Sequence, residues 1–332
     1  MTLPQQMRAV IWHGKNDLRI VEKQVPKPLP GTSIVQIIAA GICATDREVT
    51  IGRIPGVAAG VVLGHEITGI VVAGDESEHI KIGDKVVADT VYSCKSCAAC
   101  VETPAGDCTN PGELGFTADG GWEEYVRVDT SRLHKVPENL SWEETVITEP
   151  FVIPFGALVD SGAIIQGKRI LVVGGGLAGF AFTSGAVALG AARVDVSLRT
   201  PRRREMFNSI SPIVHITSSE LIEKAAADVS IDSVGTSESI HTAIIGVKDR
   251  GQVVCYGFSE EFGNNYPIAE VVLRNLRISG HTNSKGMWPV LIDLLAKGSI
   301  TTKGLVDRVI TIDEVPDAVN NWQGNLRTVI KF

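Results

Sequence analysis

The chain has 332 residues, 44% of them hydrophobic and 21% charged, and a formal net charge of −7 at pH 7. That is long for one domain, comfortable for two, and apolar enough for sizeable cores. The acidic balance argues against nucleic acid as a generic partner. Residues 1–10 carry no secretory h-region and no apolar run reaches membrane-spanning length, so no membrane partner and a cytoplasmic location are expected.

Taken in chain order, residues 8–90 read as a β-rich module. Short β-branched runs at 8–12, 18–21, 33–40, 69–73 and 85–88 are punctuated by Pro and Gly. A cysteine-rich excursion follows at about 92–112, then strands over 122–128 and 133–137. From about Pro150 the texture becomes alternating strands (169–173, 193–198, 213–217, 228–234, 251–257) and helical stretches. Such alternation means βαβ units and a parallel sheet covered on both faces. A strand at 276–280 and a helix at 287–296 close this part. The tail, 305–332, returns to short β runs and is expected to rejoin the first module.

The second part opens on an apolar strand, 169–173, that runs into Gly174-Gly175-Gly176-Leu177-Ala178-Gly179 and an Ala/Gly/Leu-rich segment. Strand, tight turn and helix in this order suit a dinucleotide pyrophosphate. Gly174 allows the turn, Gly176 lets backbone N–H groups approach the phosphates, and Gly179 lets helix pack on strand. The next strand has Asp195 near the place of a ribose-binding carboxylate, but its tip is Leu198, followed by Arg199, Thr200, Arg203 and Arg204. Without a carboxylate at the tip and with arginines beyond it, a 2′-phosphate is attracted, so NADP(H) is expected over NAD(H).

Cys94, Cys97, Cys100 and Cys108 fall within fifteen residues. In a large chain without an export signal, that spacing reads as one closed tetrahedral zinc site, a structural one. Cys43 and His65 each stand on a glycine-marked turn after a strand. They supply two further zinc-type ligands, and alone would equally suit a buried thiol and a core histidine.

The segments Gly41-Ile42-Cys43-Ala44-Thr45-Asp46, Gly64-His65-Glu66 and Gly174–Gly179, in this order, resemble the zinc-dependent medium-chain alcohol dehydrogenases over nearly the whole chain. Glu149-Pro150 makes the sequence most similar to the sorbitol (polyol) and threonine dehydrogenase branch. The resemblance implies an α/β chain with two domains. A β-rich GroES-like catalytic domain would occupy 1–152 and 290–332, with a structural-zinc lobe at about 92–112. A Rossmann doubly wound parallel-sheet domain would occupy 153–289. It further implies two zincs per chain, with Cys43, His65 and Glu149 as catalytic-zinc ligands. Glu66 would ligate directly or through water, and Asp46 would orient His65.

The implied activity is hydride transfer between NADP(H) and a secondary alcohol or polyol, or its ketone. Thr45 would be the first proton-relay hydroxyl. Glu48 stands where relatives often carry a histidine, as a relay or a solvated group. A homodimer or homotetramer, with the 276–280 edge as contact, is implied as well. Polar residues Thr282 to Lys285 hint at a hydroxylated or anionic substrate. Two other readings compete: a zinc-free double-bond (quinone or enoyl) reductase on the same fold, and a non-enzymatic four-cysteine zinc module. Cys43, His65 and Glu149 together oppose the first. The acidic charge opposes a nucleic-acid role for the second.

Overall fold

The computed structural model describes residues 3–102, 108–199, 201–258, 266–282, 284, 286–322 and 326–332. Contacts divide the chain into two units, Met1–Glu149 with Thr302–Phe332, and Pro150–Thr301. The sequence reading set these limits at 152/153 and 289/290.

In the first unit the hairpin Gln6–Gly14/Asp17–Gln24 turns through Asn16, held at φ 59°, and its first strand also pairs with Val61–Val62. Among the described residues seven strands form the main sheet, in the order Leu133–Lys135, Lys85–Ala88, Ile67–Gly74, Thr32–Ile42, Thr328–Lys331 and Arg308–Ile310, with Tyr125–Asp129 also on Thr32–Ile42. Thr32–Ile42 is the centre. Its eleven residues are mostly buried, as expected of a strand with few polar side chains and neighbours on both edges. The tail strand joins it antiparallel with Ile330 opposite Ala40, so the C-terminal segment lies beside the Gly41-Ile42-Cys43 exit.

The strand read at 122–128 begins only at Tyr125. Trp122 is instead a fully buried anchor whose indole N–H donates to the Gly41 carbonyl at 3.1 Å.

The second unit is a six-stranded parallel sheet ordered Val214–Thr217, Arg193–Ser197, Arg169–Val173, Ala227–Asp232, Val247–Cys255, Arg277–Gly280. The order reverses between Arg169–Val173 and Ala227–Asp232, which is where such sheets bind nucleotides. Helix Leu177–Ala188 follows the first strand. One expected helix is missing. Between Thr217 and Ala227 there is only the 3₁₀ turn Ser219–Leu221, because the segment is too short for a helix and two loops. No helix among the described residues is long and apolar enough to cross a membrane.

Candidate functional site

The central strand ends at Ile42, and Cys43 caps the helix Ala44–Thr50 in extended conformation. The Asp46 carboxylate accepts from the Cys43 N–H at 2.8 Å and presents its other oxygen 3.4 Å from His65 Nδ1. His65 and Glu66 leave the Leu63-Gly64 turn, where Gly64 sits at φ 95° and a Cβ would fall 2.3 Å from the Trp122 ring. Only glycine meets both demands. Gly41 makes a second space: a Cβ there would lie 1.8 Å from Glu66 Oε2. Two glycines thus bring the Cys43 thiol, a His65 ring nitrogen and a Glu66 oxygen within 4.8 Å of one another.

Charge in this group is unbalanced. Burial would drop the His65 proton, but Asp46 and Cys43 beside it hold its pKa well above the usual value. Burial lifts Glu66, with Arg327 and His65 pulling against it. Burial also pushes Glu149, at the start of helix Thr148–Asp160, up to about 8, and the charges of Glu66 and Glu113 add to it. Glu66 Oε2 is buried and has no hydrogen-bond partner. A thiol, an imidazole and crowded carboxyls with an orphaned oxygen are the donor set of a divalent zinc-type cation, which would favour their deprotonated forms. The residues therefore fit the metal. Glu149 lies outside the 4.8 Å group, though near enough to feel His65, Glu66 and Arg327.

Two neighbours carried no sequence signal. Arg327, buried, reaches in from the tail, with Nη1 2.8 Å from Glu66 Oε1 and 2.9 Å from the Ile42 carbonyl. Glu113 comes from the turn after the cysteine lobe. Neither has a motif around it; sheet pairing and turn packing bring them in. Thr45 is half-buried, its hydroxyl 3.5 Å from Cys43 Sγ. Glu48 is half-buried, and Arg47 and Arg53 stand at its two oxygens at 3.1 and 3.2 Å.

In the cysteine lobe, Cys94 and Cys100 sulfurs are 4.0 Å apart, Cys97 and Cys100 3.4 Å, and Cys97 and Cys108 3.9 Å. A disulfide needs about 2.05 Å. Four sulfurs about 2.3 Å from one tetrahedral zinc stand roughly 3.8 Å apart, so this cage fits one ion. Backbone N–H groups of Cys94, Cys97 and Asn110 point at the sulfurs. The Thr109 hydroxyl and N–H pull Cys97 down to about 5, whereas the neighbouring Cys97 sulfur and burial raise Cys100 to about 12. Residues 103–107 of the lobe lie outside the described residues.

The glycine turn of the second unit places different steric demands on its glycines. Gly174 takes φ 122°, and a Cβ there would strike Ser233 Oγ at 2.3 Å; a Cβ on Gly179 would strike the Gly174 carbonyl at 2.1 Å. Gly176, the N-cap of helix Leu177–Ala188, faces open space within 4 Å, leaving room at the N–H groups of the first helical turn, with Leu177 and Ala178 next. Leu198 is buried against Gly175. Arg203 Nη1 donates to the Gly175 carbonyl at 2.7 Å, so one arginine of the run reaches the turn. Arg199 and Arg204 are exposed, and Thr200, Asn283 and Lys285 lie outside the described residues. Asp195 sits inside its strand, opposite Leu171, bound by Arg169 and Arg193 at 2.7 to 2.9 Å. It forms ion pairs in the middle of its strand and is not at the tip.

A doubly wound nucleotide fold with a thiol–imidazole–carboxylate group in a β-rich unit defines a metal-dependent nucleotide oxidoreductase. Family models describe residues 29–138 as an alcohol dehydrogenase GroES-like domain and 178–297 as a zinc-binding dehydrogenase. The chain belongs to the zinc-dependent medium-chain alcohol dehydrogenase family, near its sorbitol branch, and is an enzyme of that family.

The chain is 26% identical to sorbitol dehydrogenase of Bacillus subtilis (strain 168), over 96% of this chain and 94% of that one. A Sinorhizobium meliloti 1021 protein described as a zinc-binding dehydrogenase, solved bound to NADP, matches at TM-score 0.92 and 27% identity over 99% of this chain and 100% of that one. An alcohol dehydrogenase from Escherichia coli CFT073, solved with NADH, matches at TM-score 0.87 and 26% identity over 99% and 100%.

Proposed function

We propose that this chain transfers hydride between a secondary alcohol or polyol and NADP(H), used in preference to NAD(H), with one catalytic and one structural zinc. The convergence of Cys43, His65 and Glu66 within 4.8 Å, with Glu66 Oε2 buried and without a hydrogen-bond partner, carries this reading. Cys43, His65 and Glu66 would hold the catalytic ion, with Glu149 close by as a further ligand; Cys94, Cys97, Cys100 and Cys108 would hold the structural one. When bound, the catalytic ion supplies Lewis-acid stabilisation of developing negative charge on the substrate oxygen.

The protein's own groups do the rest. Asp46 fixes the His65 ring. Thr45 takes the substrate hydroxyl proton as first relay. Glu48, pinned by Arg47 and Arg53, shapes the field around that step. In the second unit, Gly174, Gly176, Leu177, Ala178 and Gly179 receive the pyrophosphate. Arg203, which reaches the Gly175 carbonyl, would take the adenosine 2′-phosphate together with Arg199 and Arg204, and the sequence adds Thr200 to that set. Relatives are solved with NADP and with NADH, so the preference rests on this chain's arginines and on Leu198 standing where a carboxylate would repel phosphate.

The apolar exposed residues Ile268, Val272, Leu273 and Ile278, on and beside the edge strand Arg277–Gly280, support a homodimer or homotetramer. Sedimentation equilibrium distinguishes these from a monomer.

Turnover tests the reading. With a panel of secondary alcohols and polyols, NADP⁺ is expected to support oxidation better than NAD⁺. Glu149→Ala is expected to abolish turnover while NADPH binding persists. Survival of full activity in that variant would remove Glu149 from the ligand set.

A further inference from the structure

The second unit leaves part of one sheet face without a helix. Crossover helices normally cover both faces of a parallel sheet. Between Val214–Thr217 and Ala227–Asp232, however, lies only the 3₁₀ turn Ser219–Leu221. The strands beside it carry polar residues at alternate positions, Arg193 and Asp195 on one, His215 and Thr217 on the next. Over them is a hollow of about 360 Å³, whose lining includes Arg169, Arg193, Asp195, His215, Leu221 and Ile222. Small-molecule sites span roughly 300–1,000 Å³. Arg169 and Arg193 open their strands, whereas the glycine turn follows a strand's carboxyl end, so the hollow lies toward the opposite edge of the sheet from the nucleotide site.

Sheet register builds the floor. Arg169 pairs with Arg193, so the two arginines stand side by side, and in the next row Leu171, Asp195 and His215 lie across three strands. Arg169 Nε donates to Asp195 Oδ2 at 2.7 Å, and Arg193 Nε and Nη2 donate to Oδ1 at 2.9 and 2.8 Å. One buried carboxylate thus answers two guanidiniums. The second carboxylate, Glu223, accepts from Arg169 Nη1 at the lip, where it is 68% exposed and such a pair holds weakly. Among the described residues, Arg169 Nη2 and Arg193 Nη1 have no partner. The walls are apolar. Leu171 and Ile222 pack where Gly246 has no Cβ, and Leu221 stands 77% exposed at the rim.

We propose that this hollow binds a small carboxylate with an apolar body. The ligand's carboxylate bridges the open donors Arg169 Nη2 and Arg193 Nη1 in charge-assisted hydrogen bonds, and its body covers the Leu221 and Ile222 side chains that no helix covers. Asp195 and Glu223 repel a phosphate dianion from the same place. The inference needs neither the zinc nor the hydride chemistry, since no metal ligand lines the hollow.

Fluorine NMR titration of the full-length protein, with NADPH in excess, tests this with 4-fluorobenzoate and its neutral counterpart 4-fluorobenzamide. The parent is expected to bind the benzoate saturably and the benzamide about tenfold more weakly or worse. Arg193→Gln removes an open donor, and Leu221→Glu sets a like charge at the exposed rim. Each is expected to raise the benzoate dissociation constant about tenfold at a near-parental melting temperature, while Cys43→Ser binds as the parent does. Absence of saturable binding, equal affinity for the two probes, or benzoate binding that Arg193→Gln and Leu221→Glu leave unchanged would overturn the proposal. So would binding lost in Cys43→Ser, which would place the probe at the metal ligands.

Discussion

Arg327 and Glu66 form a buried ion pair, Nη1 to Oε1 2.8 Å, in which the arginine also donates to the Ile42 carbonyl one residue before Cys43. The tail strand is thus tied chemically, and not only by sheet pairing, to the strand that delivers the thiol. Breaking a buried pair leaves an uncompensated charge. Arg327→Met is expected to lower stability by about 3–5 kcal/mol. The urea midpoint reads this, and a change within error would mean that Glu66 finds another partner.

Gly174 and Gly176 are two residues apart and should fail differently. Gly174→Ala places a Cβ against Ser233 at a φ of 122°, so a loss of about 1–3 kcal/mol in folding is expected. Gly176→Val meets open space and should fold normally, but its side chain occupies the phosphate approach. NADPH titration should show weak binding there at a near-parental melting temperature. Equal thermal losses for both would contradict the division of roles.

Arg203→Ala removes the guanidinium that reaches Gly175. The dissociation constant for NADPH is expected to rise roughly tenfold or more, and that for NADH much less, since a charge-assisted hydrogen bond to phosphate is worth about 1.5–3 kcal/mol. Fluorescence titration with both nucleotides reads the difference. Equal weakening would make Arg203 a turn-holding residue only.

Glu123 supplies a pH dependence. Although Lys23 Nζ is 2.8 Å away, burial wins and holds the carboxyl up at about 8, against 4.5 when exposed. The native state therefore binds this proton more tightly. The resulting stability is fully present below about pH 4.5 and is lost as pH rises through about 8. Glu123→Gln stays neutral throughout, so its stability relative to the parent should improve between pH 5 and pH 9, by an amount on the order of a few kcal/mol. Parallel stability–pH curves would show that Lys23 keeps Glu123 ionised.

Chemistry written in local spacing was legible before any coordinates. The four cysteines and the glycine turn each complete a site within a short stretch, so pattern and geometry coincide. Cys43 and His65 could be paired only by resemblance, since nothing local says that two turns meet. Arg327 and Glu113 were invisible. One arrives through the pairing of Ile330 with Ala40, the other through a turn packed on Gly64. Asp195 shows the opposite failure: a carboxylate at a suggestive spacing is held by two arginines inside its strand. The absent helix between Thr217 and Ala227 was a matter of length, which periodicity does not report.

The central claim is that Cys43, His65 and the carboxylates beside them hold a second metal ion. Elemental analysis of the purified chain and of Cys43→Ser tests it most directly. The account predicts two zincs in the parent and one in the variant, the remaining ion belonging to the four-cysteine lobe. One zinc in both would contradict it.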